Sequence, residues 1–222
     1  MKTLVCLTLL PLCAIAVQLA LGLEGVVEYS IYKLFLLVPP IVYCRLNRIS
    51  IVGAIFKPGN WQNRLSLAVG LGAAAVLIFW GAYWLLGDLL LDKAAIAAKI
   101  GKQFSVNATT VWLVAPITIF LNSLLEEFFY RGFAFGQLLK RNRTLAYLLP
   151  ASAYTVQHML FIYHWAEPLP MVIAVVALMA FALILQKIYE SADSLVAPWV
   201  VHILGDVAMM GVAVTMLYPP AG

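Results

Sequence analysis

Charge is what this chain has least of. Only 11% of its 222 residues are Asp, Glu, Lys or Arg, 64% are hydrophobic, and mean hydropathy is +0.96. A soluble domain carries about 25% charged and about 45–50% apolar residues. No soluble fold hides this much apolar surface, so a soluble enzyme is excluded. The net charge of +4 sits mostly in short loops, with no basic patch interleaved with aromatics, which excludes nucleic acid as a partner. Cysteine is scarce as well. Cys6, Cys13 and Cys44 have no CxxC spacing and lie in or beside apolar runs, so buried structural thiols are expected rather than a disulfide or zinc site. Strand-like alternation, internal repeats, low-complexity tracts and linkers are absent too. What is left is an all-α, polytopic transmembrane helical bundle. It is expected to form a single integral membrane domain over residues 1–222, with the lipid bilayer as its surroundings.

Seven apolar runs are expected to span the bilayer, at residues 3–23, 26–46, 65–91, 109–139, 145–165, 169–188 and 195–218. Pro39 and Pro40 should bend the second. The first has an alternative as a signal peptide, with Lys2, an apolar core and Ala14-Ile15-Ala16 as a cleavage site. A retained helix is favoured, because apolar sequence continues to Leu23 with no polar mature start. A mixed loop is expected between the third and fourth runs. The positive-inside rule orients the bundle. Arg45, Arg48, Lys57 and Arg64 follow the second run, and Lys140, Arg141 and Arg143 follow the fourth. These loops, Lys2 and Lys187 are therefore assigned to the cytoplasm, against the contrary signal of Lys93, Lys99 and Lys102. A bacterial inner (plasma) membrane protein with a cytoplasmic N-terminus is expected.

Against this apolar background, the ionisable residues inside the runs stand out. Each costs roughly 2.5–3.5 kcal/mol on insertion scales. The fourth run holds Glu126, Glu127 and Arg131, the fifth His158, and the seventh His202 and Asp206. At about 1.5 Å of rise per residue, Glu127, His158 and His202 lie roughly 18–23 Å from the cytoplasmic ends of their helices. Three polar groups on separate spans thus reach one level. Glu127 and Arg131 are i,i+4 and share a helix face, whereas Glu126 points about 100° to the side. That arrangement neutralises one carboxylate and leaves the other available as a general base; a structural ion pair beside a protonated glutamate is the plainer alternative. Tyr154 and His158 are again i,i+4, as are His202 and Asp206. A carboxylate four residues on can fix a histidine's tautomer, or simply lock two helices together. His164, at the outer end of its run beside Trp165, faces another way. Trp112, Trp165 and Trp199 read as interfacial or core aromatics.

The segment Glu126-Glu127-Phe128-Phe129-Tyr130-Arg131 resembles the EExxxR motif of the CAAX-protease and bacteriocin-processing (CPBP) intramembrane proteases. Tyr154…His158 resembles their second motif, FxxxH, and His202…Asp206 their third, HxxxN or HxxxD. The trio occurs in order on separate spans, which marks residues 109–218 as a CPBP-like catalytic core. The resemblance implies an intramembrane endopeptidase that hydrolyses a peptide bond in a membrane-anchored or exported protein or peptide. It implies that Glu126 activates water, that His158 holds the water, and that Glu127 pairs with Arg131. His202 and Asp206 would then polarise the scissile carbonyl. Two residues depart from the pattern. Tyr154 replaces phenylalanine, and Asp206 stands where some members have asparagine. An ionised aspartate repels an oxyanion, so Asp206 is expected to be protonated or to orient His202. No cofactor is favoured. If zinc is present, Glu126, His158 and His202 are its expected ligands, although no HExxH occurs.

The same residues leave other classes open. A proton- or ion-coupled transporter would use them as a relay, but no inverted repeat is visible. A haem carrier would use His158 and His202 as axial ligands. A non-catalytic bacteriocin-immunity or scaffold protein would have no need of two glutamates in lipid.

Overall fold

The computed structural model describes residues 1–23, 31–54 and 59–218, and no strand occurs among them. The helices are α1 (Lys2–Ala20), α2 (Lys33–Leu46), α3 (Trp61–Leu90), α4 (Lys93–Phe104), α5 (Val111–Leu139), α6 (Arg143–Ile162), α7 (Pro168–Ala192) and α8 (Val196–Leu217). All but α2 and α4 are long and apolar enough to cross a membrane, which makes six candidate spans among the described residues. The second expected span begins within residues 24–30, which lie outside the described ones. Its described part starts beside α6, with the Tyr32 ring 5.3 Å from Phe161, and ends beside α5, with Tyr43 5.5 Å from Phe133. It therefore runs from one end of the bundle to the other.

Local chemistry sets several helix boundaries. Asn142 caps α6 by accepting from the Leu145 N–H at 2.8 Å. Pro168 opens α7, where its missing N–H costs nothing. The segment expected to be a mixed loop is instead the short helix α4. Asp92 caps it by accepting from Ala95 N–H at 2.9 Å, and its alanine-rich body turns Ile96 inward.

The longest departure from ideal geometry is in α5. Ile117–Asn122 and Phe128–Phe135 are π-helical, and they flank an α-helical segment, Ser123–Glu127. Pro116 immediately precedes the first π stretch and cannot donate to the helical ladder. Ser123 Oγ then bonds back to the carbonyl oxygens of Ile119 and Phe120. π-Helical turns in otherwise α-helical segments are frequent at functional sites.

The basic loops converge on one end of the bundle. Arg143, at the start of α6, forks onto Glu190 near the end of α7, and Asn60 N–H bonds Ala192 C=O at 2.8 Å. Gly59 makes this approach possible. It has φ +42°, and a Cβ there would strike the Asp193 carbonyl. At the other end Lys99 of α4 donates to the backbone oxygens of His164 and Trp165, and Gln103 donates to Phe161 O at 3.0 Å.

Between these ends the bundle is closed by two kinds of packing. Aromatic rings of α5 (Phe129, Phe133, Phe135) fill the space toward α2, α6 and α7 and are fully buried. On the other side α3 lies close against α8 through glycines. A Cβ at Gly72 would overlap Leu204, and one at Gly211 would lie 2.7 Å from Trp80 Cζ2. The expectation that all three cysteines are buried is corrected. Cys44 is buried, but Cys6 and Cys13 are exposed on α1, whose inward stripe is Leu4, Thr8, Pro11 and Ile15. One stripe of α1 faces the bundle, and these two cysteines fall outside it.

Candidate active site

α5, α6 and α8 each bring one of the singled-out groups to a common centre. Glu126 Oε2 lies 3.6 Å from His158 Nε2 and 3.8 Å from His202 Nε2. Glu127 Oε1 lies 2.8 Å from His202 Nδ1 and 3.0 Å from Arg131 Nη1. Glu126, Glu127, Arg131 and His202 are no more than 2% exposed, whereas the His158 side chain is 28% exposed. His158 is therefore the most open of these five side chains.

Hydrogen bonding assigns the protons of both imidazoles. His158 Nδ1 lies 2.9 Å from Tyr154 O. A carbonyl only accepts, so Nδ1–H donates and the lone pair of a neutral His158 sits on Nε2. His202 Nδ1 lies 2.8 Å from Glu127 Oε1, the oxygen that also meets Arg131, so Nδ1–H donates there as well. Both Nε2 atoms consequently face Glu126. The Arg131 guanidinium lies over the Tyr154 ring, 4.5 Å from its centroid, which spreads its charge over an aromatic face.

Of the two alternatives expected for Asp206, protonation or orienting His202, the geometry does not show the second. Its Oδ1 is 3.7 Å from His202 Nε2, beyond hydrogen-bond reach, and on the opposite ring nitrogen from the one that is fixed. Glu127 holds the ring instead. Asp206 adds a third carboxyl group to a centre with one arginine. His164 stays outside the cluster, with its ring 5.0 Å from Tyr163.

Several participants were not legible as such in the sequence. Asn122 Nδ2 and Gln157 Nε2 donate to Glu126 Oε1 at 3.0 and 3.1 Å. Tyr130 donates to Gln157 Oε1 at 2.7 Å. The Tyr154 hydroxyl reaches His202 Nε2 at 3.4 Å, so it is more than an aromatic substitute for phenylalanine. Trp199, given no role from sequence, donates to Ser123 Oγ at 3.0 Å and ties α8 to α5 three residues from Glu126. The available signal was polarity inside apolar spans: Asn122 is four residues before Glu126, and Gln157 adjoins His158.

Glu126, His158 and His202 are donor types that suit zinc. Glu126 Oε2 stands 3.6 and 3.8 Å from the two Nε2 atoms, a few tenths of an ångström wider than the roughly 3.3–3.4 Å between neighbouring donors on a tetrahedral zinc. An apolar groove of about 500 Å³ lined by Trp84, Trp112, Val214, Thr215 and Tyr218 contains none of the clustered residues.

No curated protein and no solved structure matches the chain. Residues 108–208, which carry all three motifs and every clustered residue above, match the family model described as Rce1-like, type II CAAX prenyl endopeptidase Rce1-like.

Proposed function

We propose that this chain is an intramembrane endopeptidase that hydrolyses a peptide bond in a membrane-anchored or exported protein or peptide, with a glutamate-activated water. The observation that carries the reading is the placement of Glu126 Oε2. It accepts no hydrogen bond from the described residues and faces two histidine nitrogens on two other helices.

Glu126 Oε2 and His158 Nε2 are two acceptors on one edge of the centre, and a water between them donates to Glu126 with His158 beside it. Such a water keeps its lone pairs for a scissile carbonyl. As the C–O bond forms, Glu126 takes the proton and later passes it to the leaving nitrogen. His202 carrying a second proton on Nε2 is a donor for the carbonyl oxygen, and the Glu127 carboxylate on Nδ1 balances that charge. Tyr154 O–H is a second donor at the same edge. Glu127 and Arg131 hold the His202 ring and the Glu126 backbone in one frame. No step needs an ion or cofactor. The chain is proposed to act in a bacterial inner membrane with its N-terminus in the cytoplasm.

Native protein reconstituted in liposomes should cleave members of a library of membrane-anchored peptides, and Glu126→Gln should cleave none. Cleavage by the variant would remove Glu126 from the role of base. Metal content and chelator sensitivity separate the two forms of the chemistry. The expected result is full activity after exhaustive chelation; loss restored by added zinc would transfer the water to a metal.

A further inference from the structure

We propose that Asn122 and Gln157 are positioning residues that together hold Oε1 of Glu126, so that Oε2 is the oxygen presented to His158 and His202. The inference rests on the proposed role of Glu126. It concerns two residues that none of the three motifs specifies: Asn122 lies outside them, and Gln157 occupies an unspecified position of the second.

A buried carboxylate has two equivalent oxygens and a χ3 torsion with broad, nearly two-fold preferences. Left to itself, Glu126 would exchange them. Here the two are made different. Asn122 Nδ2 at 3.0 Å and Gln157 Nε2 at 3.1 Å both donate to Oε1, and Oε2 receives nothing from the described residues. The two donors come from different helices, α5 and α6, so a carboxylate held by both is fixed relative to both.

The clamp is itself held. An amide can flip and present oxygen instead of nitrogen. Tyr130 O–H donates to Gln157 Oε1 at 2.7 Å, which leaves only the Nε2 end of Gln157 for Glu126. Tyr130 is in turn fully buried against Phe129 and Tyr154, with centroids 4.9 and 5.4 Å away. Asn122 closes the first π-helical stretch, and Ser123 beside it is bonded by Trp199. The helical irregularity and the interhelical bond therefore both set the angle at which Asn122 meets the carboxylate.

The other groups around this carboxylate are His158 on α6, His202 and Asp206 on α8, Glu127, Arg131 and Tyr130 on α5, Tyr154 on α6, and Lys33 on α2 through longer-range attraction. The two histidines face Oε2 rather than Oε1.

The test is infrared difference spectroscopy of purified protein in nanodiscs at one fixed pH, with Glu126→Gln as the reference that isolates the Glu126 carboxyl band. Gln157→Met keeps the side-chain length and removes the donor. Asn122→Leu does the same on α5. Each should move the Glu126 band, because a hydrogen bond to one of its two oxygens is lost. Tyr130→Phe leaves the amide in place but frees it to flip, and should broaden the band with a smaller displacement. Should Gln157→Met fail to fold, the other two variants decide. Folded variants with the native band would overturn the proposal, because a merely structural role leaves that band where it is. The readout needs no substrate. A Glu126→Gln protein that still cleaves peptides would sink the proposed mechanism without touching the clamp, and an unmoved band would sink the clamp without touching the mechanism.

Discussion

The face of α8 that meets α5 and α6 and the face that meets α3 are built from different chemistry. Toward α5 and α6 the contacts are directional: Trp199 to Ser123, His202 to Glu127, His202 to Tyr154. Toward α3 they are steric: Leu204 against Gly72, Trp80 against Gly211, with one hydrogen bond from Thr215 to Tyr83 at 3.1 Å near the end. In lipid the hydrophobic effect does not drive helices together, so close packing and hydrogen bonds must. Small residues set how near two helices come. Hydrogen bonds also set their rotation and register, which is what an active site needs. The polar face is thus the one that fixes where His202 points, and the glycine face is the one that keeps α8 in place.

Perturbing the polar face at its charge should have the largest effect. Arg131→Leu leaves Glu127 buried without its cation, and breaking such a pair costs about 3–5 kcal/mol. Thermal unfolding in detergent should show that loss, together with loss of cleavage. Adding Glu127→Gln to that variant should recover part of the stability and none of the activity, since His202 Nδ1 would then lose its carboxylate. A loss in the double variant equal to the sum of the Arg131→Leu and Glu127→Gln losses would show that the pair is not coupled.

Perturbing the glycine face should separate stability from chemistry. Gly211→Leu forces a side chain into Trp80, and overpacking of this kind costs about 1–3 kcal/mol. The melting temperature should fall while the folded fraction keeps its turnover. A specific drop in turnover at unchanged stability would mean that α3 tunes the site through α8.

The interhelical bond between the two regions should matter less. Trp199→Phe removes its donor, and membrane hydrogen bonds of this sort are worth about 0.6–2 kcal/mol. Turnover should fall more than stability does, because Ser123 adjoins Asn122 and Glu126. The smallest effect is expected at the basic end. Arg143→Gln removes the fork onto Glu190, but Tyr147 and Lys187 still donate there, at 2.7 and 3.2 Å. A slight, salt-dependent loss of stability with unchanged cleavage should follow; a large loss would make this end part of the core rather than its rim.

Sequence pattern carried most of the architecture, because membrane spans are written in composition. The polar cluster was also visible, since Glu126, His158 and His202 are costly in lipid and sit at matched depths. Three things were not. The π-helical stretches of α5 depend on where backbone bonds shift around Pro116 and Ser123, which 100° periodicity does not report. The holder of His202 turned out to be Glu127 from another helix rather than Asp206 four residues on, because i,i+4 spacing permits a contact without orienting the ring. Asn122 and Gln157 were passed over because neutral amides are tolerated in spans. Only the fold shows that both point at one oxygen. Helix α4 was missed for the opposite reason: its lysines read as loop, although Asp92 and the alanines form a helix start.

The most direct test of the central claim is a comparison of protein termini in membranes from cells carrying the native chain or Glu126→Gln at equal abundance. A protease acting through Glu126 predicts a set of new termini that appears with the native chain and vanishes in the variant, and those termini name the substrates. Identical termini from both, with each protein well expressed and a range of growth conditions sampled, would contradict it.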